Sequence, residues 1–197
     1  MKTSIRIIGM ALLLALANPL QAASYTIDTE GMHAFIHFSI PHLGYSNLIG
    51  RFNRFSGSFD YDDENPNASK IEVTIETASI DSNHAERDKH LRDEDFLYVS
   101  KYPKATFVST SYVADGADAG TLTGNLTLRG VTRPVTIAVE KIGEGPDPWG
   151  GYRVGFTGTT KIVLADFGIT KFLGRKSTEV ELILDIEGVR RNDNPVH

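Results

Sequence analysis

Apolar side chains recur at every second residue through most of this 197-residue chain, and that period belongs to pleated strands that turn one face toward a core. In residues 33–40, Ala34, Ile36, Phe38 and Ile40 share one face, while His33, Phe35, His37 and Ser39 share the other. A break at residues 41–44 follows. Phe55, Gly57, Phe59 and Tyr61 are then in phase, and Phe52 falls out of step with them, which predicts a bulge near Asn53 and Arg54. Ile71, Val73 and Ile75 alternate with Glu72, Thr74 and Glu76. Three further runs repeat the pattern: Leu122, Leu126 and Leu128; Val135, Ile137 and Val139; and Val180, Leu182, Leu184 and Ile186. Residues 129–133 read as a tight connection, GEGPDPWGG as a long turn, and the glycine-spotted run 152–164 as a strongly bent strand. About eight strands joined by short turns predict an all-β, antiparallel barrel, because closure removes exposed sheet edges.

One stretch breaks the period. Residues 84–92 contain no Gly, Pro or β-branched side chain, and Asn83 stands three residues before Glu86, the spacing of a capping box. One short helical connection near residues 83–92 is therefore expected, with Arg87 above Leu91 and Asp88 above Arg92 one turn apart. A barrel of about eight strands can hold one small ligand inside. The in-phase set is light, with Ala34, Val73, Val135, Val139 and Val154 beside Gly57, Gly124 and Gly158, and this predicts unfilled space.

The N-terminus has a basic flank (Lys2, Arg6), an apolar run over residues 7–17 and a small-residue region ending at Ala23, the three parts of a secretory signal peptide. Residues 1–22 are expected to be cleaved, leaving residues 23–197 as a single domain in the periplasm with a polar tail over residues 190–197 that frays. The apolar run is far shorter than the ~20 residues of a membrane span. Removing Lys2 and Arg6 from 20 basic residues leaves 18 against 25 acidic ones, a net charge of −7. That balance argues against a general nucleic-acid or anionic-membrane binder, although it leaves room for a local basic patch. There is no Cys, so neither a disulfide nor a thiol-linked cofactor supports the fold, which must rest on its core.

The run NHAERDKHLRDEDFL, followed by KYPKATF, GNLTLRGVTRPV, DPWGG and DFGI, resembles the YceI-like family of exported polyisoprenoid-binding proteins. YTID, HAFIHF and HLGYS near the start and VELILDIEGV near the end agree with it, so the resemblance spans essentially the whole mature chain. It implies a lipocalin-like barrel whose pore holds a long isoprenoid, of polyprenyl or quinone type, or another amphiphile, for transport, storage or sequestration. No covalent cofactor is expected, only the bound lipid.

Such a tail is driven inward by about 25 cal/mol per Å² of apolar area removed from water. Strands of about eight residues at ~3.3 Å each make a tube roughly 25 Å long, so an octaprenyl chain must fold back or leave its head outside. The expected tunnel wall is Ile36, Phe38, Ile40, Phe52, Phe59, Ile75, Leu126, Ile137 and Phe156. For each, simple packing is the competing role. His42 would meet a head group at the barrel mouth, or else make a turn hydrogen bond. Arg87 would grip a pyrophosphate or a quinone carbonyl, or would lock the helix to the sheet together with Asp88, and the structural role is preferred. Asp166 reads as a turn-forming carboxylate, and Trp149 as a lid or plug at one opening. His33 and His37 are ~13 Å apart by strand rise, and His84 and His90 fall on different sides of a helix, so no metal site is expected. With no GxSxG elbow, HExxH or glycine-rich phosphate loop, binding is preferred to catalysis. The alternatives are a secreted enzyme acting on a prenyl or lipid substrate and a ligand-free interaction module. Apolar residues on both faces of the first long strand leave room for a homodimer or for transient contact with a membrane surface.

Overall fold

The structure, a computed structural model, describes residues 22–171 and 174–191. The predicted signal segment, apart from Ala22, and the tail beyond Arg191 lie outside the described residues. Strands β1 (Ala23–Ile27), β2 (Phe35–His42), β3 (Ser46–Phe52), β4 (Phe55–Tyr61), β5 (Lys70–Glu76) and β6 (Ile80–Asp81) precede the one α-helix among the described residues, α1 (Ala85–Arg92). Strands β7 (Lys104–Asp115), β8 (Ala119–Leu128), β9 (Val131–Pro146), β10 (Tyr152–Val163) and β11 (Glu179–Arg190) follow. All pairings are antiparallel, in the order β1-β4-β5-β7-β8-β9-β10-β11, and β1 pairs again with β11 to close an eight-stranded barrel.

The last strand decides the shape. One edge of β11 pairs with β10 from Glu179 to Val189, while its other edge is shared. Gly188 to Arg190 face β1, and Glu181 to Asp185 face β2. We call the β1 end upper and the β2 end lower. Below the fork the wall continues through β2, β3 and the two-residue β6, and α1 packs beside β6. The helix therefore completes a wall that the sheet alone leaves open. Twelve residues of β11 rise about 36 Å along the strand, or about 28 Å along a barrel axis at the usual tilt.

Several local expectations are corrected. Residues 46–61 form two strands broken at Asn53 and Arg54, not one bulged strand: β3 pairs with β2 and β6, and β4 with β1 and β5. Phe52 and Phe59 belong to different strands, which is why their phases disagree. The connection after β8 is only Arg129 and Gly130, both at positive φ (52° and 75°), as a two-residue type I′ hairpin requires. The first four residues of the expected long turn at residues 143–151 are strand. A register shift between Gly155 and Phe156 lets β9 continue to Pro146 opposite Tyr152, leaving only residues 147–151 to turn. The helix is capped by His84, whose Nδ1 accepts from the Arg87 amide at 3.2 Å. Asn83, the expected cap, instead adopts φ 62°, a conformation Asn tolerates, and its amide donates to Asp81.

The glycines do not open the lumen. A Cβ on Gly124 would lie 2.3 Å from Phe107 Cζ, one on Gly50 2.3 Å from Phe38 Cζ, and one on Gly120 2.1 Å from the Tyr112 hydroxyl. Each of these glycines has an aromatic ring packed over it, as in aromatic rescue of sheet glycines. Large side chains thus line the barrel without crossing it.

Candidate functional site

Two adjacent chambers lie within the barrel. The upper, about 150 Å³, is lined by Phe59, Val73, Phe107, Ile137, Val139 and Phe156, with Tyr61 and Tyr112 at its far end. The lower, about 520 Å³, is lined by Phe38, Phe52, Leu91, Phe96, Leu128 and Ile162 among others. Ile36, Ile75, Leu126 and Leu182 line both and form the waist between them. Alternation produces this surface directly. Val180 and Leu182 of β11 face the lower chamber, and Leu182, Leu184 and Ile186 the upper, so one strand's inner face runs the length of the lumen.

The structure brings all eleven residues singled out in the sequence to these chambers. Phe59, Ile137 and Phe156 line the upper; Phe38, Ile40, His42, Phe52 and Arg87 the lower; Ile36, Ile75 and Leu126 the waist. In the upper chamber Phe156 packs edge-on against Phe59 and Tyr61, with centroids 5.8 and 5.1 Å apart. In the lower, Phe38 and Phe52 are tilted at 6.1 Å. Sequence reasoning missed much of the lower floor. Leu91, Phe96 and Leu97 come from α1 and the turn after it, where no strand period marks a face; the apolar Phe-Leu pair after DED was the available signal.

Polar groups gather at the lower end. The exposed His42, Leu43, His90 and Lys171 all line the lower chamber, so it opens to solvent there. Asp95 joins two of them, with its Oδ2 2.5 Å from Lys171 Nζ and 3.2 Å from His90 Nε2. The Lys171 and His90 hydrogen bonds hold the Asp95 carboxyl below the ordinary carboxylate value. Arg87 donates from Nε to Ser82 Oγ (2.7 Å) and from Nη2 to the Ser82 carbonyl (2.5 Å). The buried Asp88 accepts from the Ser82 amide (2.8 Å) and hydroxyl. The two side chains clamp Ser82 from both sides and anchor α1 to the end of β6. Arg87 does this while lining the lower chamber and without a carboxylate within ion-pair distance among the described residues.

At the upper end Arg153 donates to Asp28 (2.5 Å), to Asp147 (2.8 Å) and to Glu187. Burial pushes the Asp28 carboxyl up, but hydrogen bonds from Arg153, the Gly31 amide and His33 outweigh it and hold the group below its ordinary value. The Gly151 amide and Arg153 do the same for Asp147. Asp28, His33 and Glu187 offer ligand atoms within 4.8 Å of one another, a cluster that comparing histidine pairs in the sequence overlooked. Its centre is taken by the Arg153 guanidinium, which already satisfies both carboxylates. Trp149 is neither lid nor plug: it is exposed, its ring 5.2 Å from the Arg153 guanidinium carbon, and it lines neither chamber. Asp166 lies exposed in a 3-10 turn.

Residues 25–188 match the YceI-like domain. A UPF0312 protein of Pseudomonas aeruginosa is 56% identical over 191 residues, covering 97% of this chain and all of the relative. Among solved structures, the YceI protein of Campylobacter jejuni is 30% identical and superposes with a TM-score of 0.70 over 78% of this chain and 91% of that one. A polyisoprenoid-binding domain from Saccharophagus degradans implicated in plant cell wall breakdown shares the fold at 16% identity, with a TM-score of 0.63 over 86% of this chain and 99% of that one. An apolar two-chamber barrel, a helix that finishes its lower wall and a family match across nearly every strand agree: the chain belongs to the YceI-like family.

Proposed function

We propose that this protein is a periplasmic carrier that holds a long isoprenoid, of polyprenyl or quinone type, or a similar long-chain amphiphile, in the adjacent chambers, for transport, storage or sequestration. The observation that carries the reading is a pair of apolar chambers stacked along the barrel, which share the aliphatic side chains of Ile36, Ile75, Leu126 and Leu182 as common lining. A packed core of this size would leave few voids larger than a water molecule. The upper chamber suits the tail end, since its lining is almost wholly carbon. The lower chamber suits the head group, since His42, Arg87, His90 and Lys171 lie along it. The polyisoprenoid-binding fold relative from Saccharophagus degradans supports the same ligand class. Export fits as well: β1 begins at Ala23, so cleavage after residue 22 leaves every barrel strand intact in residues 23–197.

The site's chemistry supports binding without turnover. Its exposed polar groups are spread along one mouth, and among the described residues no nucleophile and base are hydrogen-bonded to each other within the lumen. The test is mass spectrometry of an organic extract from gently purified mature protein. A stoichiometric long-chain apolar molecule is expected. An empty, folded protein that also fails to take up polyprenyl alcohol or quinone would remove the proposal, and conversion of a supplied prenyl substrate would replace it with an enzymatic one.

A further inference from the structure

The loop between β2 and β3 carries two apolar side chains into solvent beside the lower mouth. Leu43 is 57% exposed and Tyr45 89%. Leu43 also sits at φ 52°, a region that a bulky side chain enters only at a cost in strain. Packing does not offset that strain, because the side chain is mostly bare. Against this tip lies a basic turn. A Cβ on Gly44 would come within 3.1 Å of Lys176 Cδ, a Cβ on Gly174 within 3.2 Å of Leu43 Cδ2, and Ser177 donates to the Pro41 carbonyl. Arg175 and Lys176 are exposed, and neither has a carboxylate within ion-pair distance among the described residues. At the opposite end of the barrel carboxylates outnumber cations in two clusters, with Asp63, Asp118 and Glu144 around Lys141 and Asp28, Asp147 and Glu187 around Arg153, whereas at the lower mouth the Asp95 carboxylate is taken up by Lys171 and His90.

From this polarity we infer that the lower mouth docks on an anionic lipid bilayer. Leu43 and Tyr45 enter the head-group boundary, and Arg175 and Lys176 lie against the phosphates. An apolar tip flanked by cations is the pattern that binds such interfaces. Leu43 lines the lower chamber as well, so docking sets the open end of the lumen on the surface from which an amphiphile would enter. The carboxylate-rich upper end faces away, where repulsion from the same surface keeps the orientation single. The inference rests on the lipid-holding reading above and adds where loading occurs.

The experiment is co-sedimentation of lipid-stripped mature protein with large unilamellar vesicles, of phosphatidylcholine alone or with one third phosphatidylglycerol. Binding is expected to the anionic vesicles and to weaken with salt. At ~1 kcal/mol, or about fivefold, per basic residue near the surface, Arg175→Gln with Lys176→Gln should weaken it about 25-fold. Leu43→Asn with Tyr45→Ser should weaken it too, and Asn suits the positive φ at position 43, so the hairpin is kept. Circular dichroism verifies the fold of each variant. Wild-type protein that ignores anionic vesicles, or folded variants that bind like wild type, would overturn the docking surface. Because the readout uses empty protein, it is independent of the extract: lipid-loaded protein that ignores vesicles removes docking alone, and vesicle-binding protein that never holds a lipid removes the carrier reading.

Discussion

Gly124→Ala adds one carbon to the barrel wall, and the structure says where that carbon would go. It would lie 2.3 Å from Phe107 Cζ, 2.7 Å from Phe107 Cε2 and 2.7 Å from the carbonyl oxygen of Val108. The ring could pivot away by about an ångström, since sp³ and ring carbons rest at ~3.5–4 Å. The carbonyl could not, because Val108 is held in the β7–β8 ladder opposite Asn125. Overpacking of this kind costs about 1–3 kcal/mol, which for a chain of this size lowers the melting temperature by about 2–12 °C. The pivot has a second consequence. Phe107 lines the upper chamber, so a ring lifted off the wall takes volume from the lumen, and the longest chain retained should shorten. Calorimetry of the empty protein reads the first effect, and competition among prenyl chains of graded length reads the second. Gly143→Ala is the control, since a Cβ there meets nothing within 4 Å. If Gly124→Ala melts within about 0.5 kcal/mol of the parent, the size of a neutral surface change, then the wall glycines do not exist to seat rings and the account of how the lumen stays open fails.

Leu126→Trp at the waist should confine ligands to the lower chamber, so that chains of different length bind with nearly equal affinity; continued preference for long chains in a titration series would show that the chambers are not filled in sequence. Asp88→Ala leaves the buried Ser82 amide without its acceptor and should cost about 1–3 kcal/mol in urea unfolding, with Asp88→Asn milder. In acid, the depressed Asp28 and Asp147 carboxyls contribute stability that is complete above the unfolded carboxylate value of about 4 and lost as pH falls through their lower folded values. Arg153→Gln should therefore lower stability near neutral pH and flatten this acid dependence in melts between pH 2 and 7; an unchanged profile would mean that the cluster contributes nothing.

Some of this was legible in the residues. The period of two put Ile36, Phe38 and Ile40 on one face, and Leu122, Leu126 and Leu128 on another, because a strand's side chains must alternate wherever it runs. The same logic named wall residues in both chambers without any knowledge of which strands are neighbours. It failed where a local signal had more than one outcome. Asn83 looked like a helix cap, but the Asp88 carboxylate draws in the Ser82 amide six residues before it, and the cap shifts to His84. Phe52 looked bulged, but pairing to Ile36 in β2 and to Ile80 in β6 ends that strand and starts another. Gly57, Gly124 and Gly158 suggested empty space, and the barrel does contain chambers, but Gly124 itself is covered by the Phe107 ring and Gly57 lies close against Ile27 and the Glu72 carbonyl.

By itself, then, the sequence determined the fold class, the shared face of six of the eleven strands, the helix near residues 83–92 and the family, since these follow from local period and short motifs. Only the tertiary structure decided that β11 divides its edge between β1 and β2, that Ile36, Ile75, Leu126 and Leu182 meet at one waist, and that α1 closes the lower wall. Those outcomes depend on register and closure between segments far apart in the chain. Alternation says which way a side chain points, but not which distant side chain it will face.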